Sequence, residues 1–412
     1  MTEVRALAPT LDGSRNARRR RLPAWAWIGV WYLLARGVTT LFFAGASLLS
    51  GPQSRLGDHP GVLRYLLAWD AVWYRRVAEH GYPATLPLTP HGEVAANTWA
   101  FMPLYPTLAK YLGMPLGAWG AGALVISLVA GYLTALVLHR IWLMKMDESA
   151  AMWAVVFFVS GPLAALFQIG YAESLGELFL VLILWGVLAR RYAWLYLFIP
   201  LLAATRPLAL PIALFLGLYG IWRVWRRRVE PLPAWELVNV CLLAVWAFIA
   251  GMAWQVIAGV VTGSSSAYVD TETAWRANWT HDIRASFAPF DGFVQGILLG
   301  VAHLHLPAVL GYVGLAVGVL AVGALLLFEP HVRRLGVELR LWSASYVLYL
   351  LAVFFPQSSL FRLLFPLSPL WGAAAVPRSR VWRIGVLVAC LVLQALWIYD
   401  MYALGNTKWR VP

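Results

Sequence analysis

Charge is scarce in this chain. Of 412 residues, 12% are Asp, Glu, Lys or Arg and 61% are hydrophobic, whereas a soluble domain carries roughly 25% charged residues. A soluble fold of that length cannot hide so much apolar side chain; lipid can. Cysteine is scarcer still. Only Cys241 and Cys390 occur, both inside apolar runs, which excludes a disulfide framework and any CxxC metal pair. No nucleotide fingerprint, phosphate-cradling glycine loop or hydrolase elbow is present. With no soluble cytoplasmic domain to hold one, a nucleotide-sugar donor is not expected. The histidines lack ligand spacing: His303 and His305 are two apart and do not share a helical face, and His59, His80 and His91 are scattered over one loop.

Long uncharged runs are abundant. Residues 307–328, LPAVLGYVGLAVGVLAVGALLL, exceed the roughly 20 residues that span a bilayer. Such runs predict spans at 25–49, 117–138, 151–168, 172–189, 192–205, 207–222, 236–259, 307–328, 340–356, 361–377 and 381–402. The expectation is an all-α polytopic membrane protein of about eleven transmembrane helices. The net charge of +13 is dispersed over short loops, so it reads as topology and not as a nucleic-acid surface. Of 32 Lys and Arg, 20 fall before the first span or in the loops that alternation makes cytoplasmic, such as Arg190–Arg191 and Arg226–Arg228. The positive-inside rule then places the N-terminus inside and the C-terminus outside. Residues 1–24 read as a basic cytoplasmic tail, and the run after Arg18–Arg21 is too long for a signal h-region. Residues 25–412 read as one transmembrane domain with two long extracytoplasmic loops, about 50–116 and 260–306. Loops of that length in compact proteins are commonly functional, and the stretch near 293–302 suits an interfacial or re-entrant helix.

The first of these loops carries WDAVWYRRVAEHGYP at 69–83. Projected as one helix over 61–80 at about 100° per residue, it sets Leu63, Leu66, Leu67, Trp73, Tyr74 and Val77 around Asp70. Arg64, Arg75, Arg76 and Glu79 fall on the far side. A lone carboxylate on an apolar face marks a functional residue; the plainer role is to N-cap a helix over 71–80. Glu173 and Glu177 are four apart and share a helical face. Arg206 falls at the turn between two spans, Arg362 in PQSSLFRLLFP, and Asp400 at the end of the last span, where interfacial snorkelling is the plain alternative. Arg36 lies mid-span and requires an acidic partner or a polar cavity.

Four segments together resemble one family. WDAVWYRRVAEHGYP is similar to the "WD…W/H-Y/F…IAexGY" segment of the second GPI mannosyltransferase (PIG-V type) and its bacterial relatives. FMPLYPTL (101–108) is similar to that family's "FFPLYP", YAESLGELFLVL (171–182) to its helix-opening "YSES", and TRPLAL (205–210) to its "SRP" segment. The resemblance covers about the first 220 residues; Arg362 is a weaker match beyond it, and Ala172 and Met102 depart from the pattern without removing an ionisable group. It implies a GT-C-type fold and a polyprenyl- or dolichyl-phosphate mannose donor, with no metal and no cofactor. It makes Asp70 the catalytic carboxylate and Glu173 and Arg206 site residues. Attack of an acceptor hydroxyl on C1 then inverts the anomeric centre, Asp70 takes the proton, and Arg206 and Arg362 stabilise the leaving phosphate. Trp69, Trp73 and Tyr74 are expected to shape the sugar or lipid cleft, a place they would equally hold as interfacial aromatics. The expected partners are the lipid-phosphate donor, membrane lipid and an acceptor the sequence leaves open. A lipid or sugar transporter is the main alternative, favoured by Arg36 alone; it calls for repeats and midplane polar groups. A non-catalytic assembly subunit is the third.

Overall fold

The computed structural model describes residues 22–280 and 287–404. The basic tail with Arg18–Arg21 lies outside them. Among the described residues every regular element is a helix, with one isolated bridge, Leu88 with Val94. Five helices are long and apolar enough to cross a membrane. They are α1 (Ala24–Leu48), α5 (Trp119–Leu143), α10 (Ala234–Thr262), α13 (Ala308–Phe328) and α18 (Arg380–Ile398), the last continued by a π-turn at Tyr399–Ala403. Shorter helices fill the intervals. The loop 50–116 holds α2 (Val62–Leu66), α3 (Asp70–His80) and α4 (Leu104–Gly113). Between α5 and α10 come α6 (Glu148–Ser160), α7 (Glu173–Leu188), α8 (Leu195–Ala203) and α9 (Ala209–Arg226). Between α10 and α13 are α11 (Ala267–Thr280) and α12 (Asp291–His303). The rest are α14 (Pro330–Arg334), α15 (Val337–Val353), α16 (Leu360–Leu363) and α17 (Trp371–Ala375). This is a multi-pass membrane chain: Val309, Leu310, Val313, Val317, Leu320 and Leu327 of α13 all face outward, as a lipid-facing helix requires.

The helix starts follow from the sequence. Pro23, Pro233 and Pro307 immediately precede α1, α10 and α13; proline supplies a preset φ where no amide donor is needed. Asp147 caps α6 through the Ala150 amide at 3.0 Å. Gly263, at φ 72°, ends α10 in the left-handed conformation.

Two expected spans are not single helices. The 361–377 segment is α16, a 3-10 stretch over Phe365–Leu370, and α17. Pro366 and Pro369 remove amide donors there, and non-helical backbone in lipid must find partners within the protein. It does so through side chains. The carbonyls of Leu363, Pro366 and Pro369 accept from Tyr346 Oη (2.5 Å), Trp342 Nε1 (2.9 Å) and Trp142 Nε1 (3.0 Å). The 151–168 segment breaks at Gly161-Pro162, and α6 stops at Ser160.

Arg36 meets that second break. Of the two surroundings expected for it, an acidic partner or a polar cavity, it has polar groups of the protein and no acidic partner among the described residues. Its guanidinium donates to the carbonyls of Val159 (2.6 Å) and Ala164, with Gln168 Oε1 at 3.5 Å. It also lies over the rings of Tyr32 and Phe167 at 5.2 and 5.1 Å. No acidic side chain among the described residues pairs with it. The Val159 carbonyl, in the last turn of α6, carries the partial negative charge of a helix C-terminus, and Arg36 joins it to the Ala164 carbonyl on the other side of the break. Arg36→Leu strips donors from two buried carbonyls, each worth about 1–3 kcal/mol. A fall in stability of about 2–6 kcal/mol is expected in detergent unfolding, without loss of donor binding in the protein that stays folded.

Candidate active site

The single helix projected over 61–80 is also corrected. It breaks at residues 67–69, where Trp69 adopts φ 55°, a region costly for any residue but glycine. The break rotates α2 away from α3, so Leu63, placed beside Asp70 by the wheel, is exposed. Asp70 becomes the first residue of α3, and no side chain caps that helix. Its carboxylate points elsewhere: Oδ2 accepts from Arg362 Nη1 at 2.5 Å.

Gly170 makes the break possible from the other side. Its amide donates to the Leu66 carbonyl at 2.8 Å, and a Cβ there would meet Leu67 and Ala71 at 3.0 and 3.2 Å. That contact brings Tyr171 beneath the site. The Tyr171 hydroxyl takes the Asp70 amide at 3.4 Å, and its ring lies under the Arg362 guanidinium at 5.2 Å.

Four charges from four separate segments form a chain. Asp70 pairs with Arg362; Arg362 Nε lies 3.3 Å from Glu173 Oε1; the same oxygen lies 3.2 Å from Arg206 Nη1. The Glu173 contacts are close enough for charge pairing but lie off the directions of hydrogen bonds, so its carboxylate keeps unfilled acceptor capacity. Each member has a local reason for its place. Glu173 opens α7. Arg206 sits where Pro207 interrupts the path from α8 to α9. Arg362 lies on the short α16 before the proline-broken stretch. Gly176 lets Arg206 lie against α7: a Cβ at 176 would meet Arg206 Cγ at 2.8 Å.

These groups line a cavity of about 750 Å³, which also takes in Trp69, Trp73, Tyr74 and Glu177. Its far wall is α11, from the second long loop, through Tyr268, Glu272 and Trp275. The two loops are tied together. Asn97 Nδ2 donates to Thr271 Oγ1 at 2.9 Å, and Trp73 stacks on Phe101 (5.9 Å) and meets Trp275 edge-on (5.1 Å). At the rim, Arg76 lies over Trp73 at 4.5 Å and Arg55 over Trp69 at 5.2 Å. The stretch expected near 293–302 is the helix α12. Asp400 does not join the group; it lines a second, apolar cavity of about 730 Å³ beside α16–α18. Among the described residues no set of three or more His, Cys, Asp or Glu is placed to hold a metal ion.

The sequence reading therefore named the charged centre, but not Tyr171, Arg55, Arg76 or the α11 wall. Tyr171 opens the YAES segment already singled out, so proximity to Glu173 was its available signal. Nothing local marks α11 as the partner of the first loop.

Chemically, the cavity offers a carboxylate with one engaged oxygen beside two guanidiniums. A guanidinium has five N–H donors, and Arg362 gives one of them to Asp70 while lying in charge contact with Glu173. Its remaining donors, with those of Arg206, suit an oxyanion such as a phosphate.

No protein-family model matches the sequence, and no curated protein matches it. Solved structures match by shape. The Archaeoglobus fulgidus oligosaccharyltransferase in the apo form matches at 14% identity and TM-score 0.47, over 90% of this chain and 56% of that one. The same archaeal enzyme, AglB, in complex with an inhibitory peptide and a dolichol-phosphate, matches at 14% and 0.40, over 93% and 56%. ArnT from Cupriavidus metallidurans bound to undecaprenyl phosphate matches at 13% and 0.47, over 93% and 76%. The chain spans about half the length of the archaeal enzyme. At these values the likenesses decide neither the fold nor the activity of this chain.

Proposed function

We propose that this protein is a GT-C-type glycosyltransferase of the PIG-V-like kind, moving mannose from a polyprenyl-phosphate donor to an acceptor hydroxyl with inversion at C1. The observation that carries the reading is the Asp70–Arg362–Glu173–Arg206 chain lining one cavity. It sets a proton acceptor beside the donors a leaving phosphate needs. The acceptor oxygen attacks C1 as the C1–O bond to phosphate breaks; Asp70 receives the hydroxyl proton. The bonding pair leaves on the phosphate oxygen, where Arg206 and Arg362 meet the developing charge. Trp69, Trp73 and Tyr74 wall the cavity where the sugar or first isoprene units would lie. The resemblance of 69–83, 101–108, 171–182 and 205–210 to that family supports mannose as the sugar.

The proposal includes about eleven crossings, a cytoplasmic N-terminus, one transmembrane domain and an extracytoplasmic cavity formed by the loops 50–116 and 260–306. Single cysteines at the exposed positions Gln53 and Ser265 test this side. In a chain with Cys241 and Cys390 replaced, Gln53→Cys and Ser265→Cys should react with an impermeant maleimide on intact cells, and Arg227→Cys should not. Labelling confined to position 227 would move Asp70 to the cytoplasm. The activity itself is tested by incubating purified protein with polyprenyl-phosphate mannose and a membrane extract. A product one hexose heavier by mass spectrometry is expected; product only with a different lipid-phosphate sugar removes the mannose assignment.

A further inference from the structure

Glu177 is used by neither the proton transfer nor the phosphate contacts above. It stands one turn beyond Glu173 on α7, is 1% exposed, and lines the same cavity. Its Oε1 accepts from Ser368 Oγ, which the proline-broken stretch after α16 holds in place. Its Oε2 is buried without a hydrogen-bond partner among the described residues. A buried carboxylate oxygen left without a donor is destabilising, so its retention calls for a ligand that supplies one.

Outside the charged chain, whose Glu173 oxygens and Arg362 Nε are also without hydrogen-bond partners, two more buried polar atoms on this cavity are in the same condition: Trp69 Nε1 and Trp275 Nε1. An indole N–H only donates, and Glu177 Oε2 is an acceptor without a donor. Apart from the unfilled atoms of the charged chain itself, the cavity therefore presents one unfilled acceptor and two unfilled donors. A phosphate would satisfy the indoles and bring no donor to Glu177 Oε2. An ammonium group would satisfy Glu177 and leave the indoles unmet. A polyhydroxyl group, whose hydroxyls donate and accept in turn, satisfies all three.

We infer that Glu177, held by Ser368, is the specificity residue for the transferred sugar, its Oε2 accepting a hydrogen bond from one ring hydroxyl. The inference rests on the lipid-phosphate-sugar reading. It differs from that reading in assigning a sugar-binding role to a residue outside the Asp70 chain.

The test is a set of mannosyl donors, each lacking one ring hydroxyl, assayed with wild type, Glu177→Met and Glu177→Gln. Methionine removes the acceptor at similar volume and puts a packed apolar side chain in its place. Wild type should lose about 5- to 150-fold in kcat/KM with one deoxy donor, the span for a buried polar group left without its partner. Glu177→Met should lose a similar factor with the complete donor and nothing further with that deoxy donor. Its ratios for the other deoxy donors should stay at wild-type values. Glu177→Gln, which keeps one acceptor oxygen, should fall between on the same hydroxyl alone. If both variants lower transfer from every donor by one common factor, Glu177 only supports the fold and the inference is overturned. A wild type that transfers sugar from none of the donors overturns the parent reading, and this inference with it.

Discussion

Asp70→Asn is expected to lower mannosyl transfer by about 10² or more, the span of a general base removed from its transition state. Expression, thermal stability and donor binding should change little. The asparagine keeps the shape of the side chain and an oxygen toward Arg362, which lies 2.5 Å from Asp70 Oδ2 in the native protein. What it loses is the ability to take a proton from the acceptor. Were Asp70 only a helix cap, the pattern would reverse: Asn caps about as well as Asp, while Ala costs about 1 kcal/mol of stability. The absence of any side-chain cap on α3 favours the first pattern. An Asp70→Asn protein with wild-type transfer would end the catalytic assignment.

The second large effect is expected at Arg362. It is 9% exposed at its side chain and contacts both Asp70 and Glu173, whereas Arg206, 20% exposed, contacts Glu173. Each arginine removed costs a charge-assisted contact to the leaving phosphate, about 1.5–3 kcal/mol, or roughly 10- to 150-fold in kcat/KM. Arg362→Ala should be the more damaging, because it also leaves two carboxylates without their shared partner. Arg362→Lys should recover only part of the loss: a lysine supplies charge without the planar fork that spans Asp70 and Glu173. Kinetics on the four proteins, wild type, Arg206→Ala, Arg362→Ala and Arg362→Lys, give the order directly. If both alanine variants keep wild-type donor affinity and turnover, the arginines are interfacial anchors and the phosphate site lies elsewhere.

Much of this architecture is legible in the sequence because lipid imposes it. Long apolar runs mark α1, α5, α10, α13 and α18 with no tertiary information. The charged centre was legible for a related reason: Asp70, Glu173, Arg206 and Arg362 are ionisable groups in apolar surroundings, where few are tolerated. What escaped depends on partners distant in sequence. The break at Trp69 is held by Gly170, about a hundred residues on, and helical periodicity across 61–80 cannot register it. Arg36 finds its carbonyls 123 and 128 residues away, on either side of a break that hydropathy reads as continuous. The 361–377 segment is apolar enough to score as a span, yet its prolines break it. The indoles and phenol that rescue its carbonyls come from Trp142, Trp342 and Tyr346. Proline spacing alone could have flagged that break. The α11 wall could not be anticipated, since the Asn97–Thr271 contact joins two loops with no common pattern.

The most direct measurement places purified wild-type protein in proteoliposomes with polyprenyl-phosphate mannose, labelled in the sugar, and an acceptor-containing lipid extract. Label and free polyprenyl phosphate are then followed together. Glycosyl transfer requires that label leave the donor for a new product, with one polyprenyl phosphate released per mannose moved, and that Asp70→Asn suppress both. Label that crosses the bilayer with its sugar–phosphate bond intact, equally in wild type and Asp70→Asn, would contradict transfer and establish a transporter.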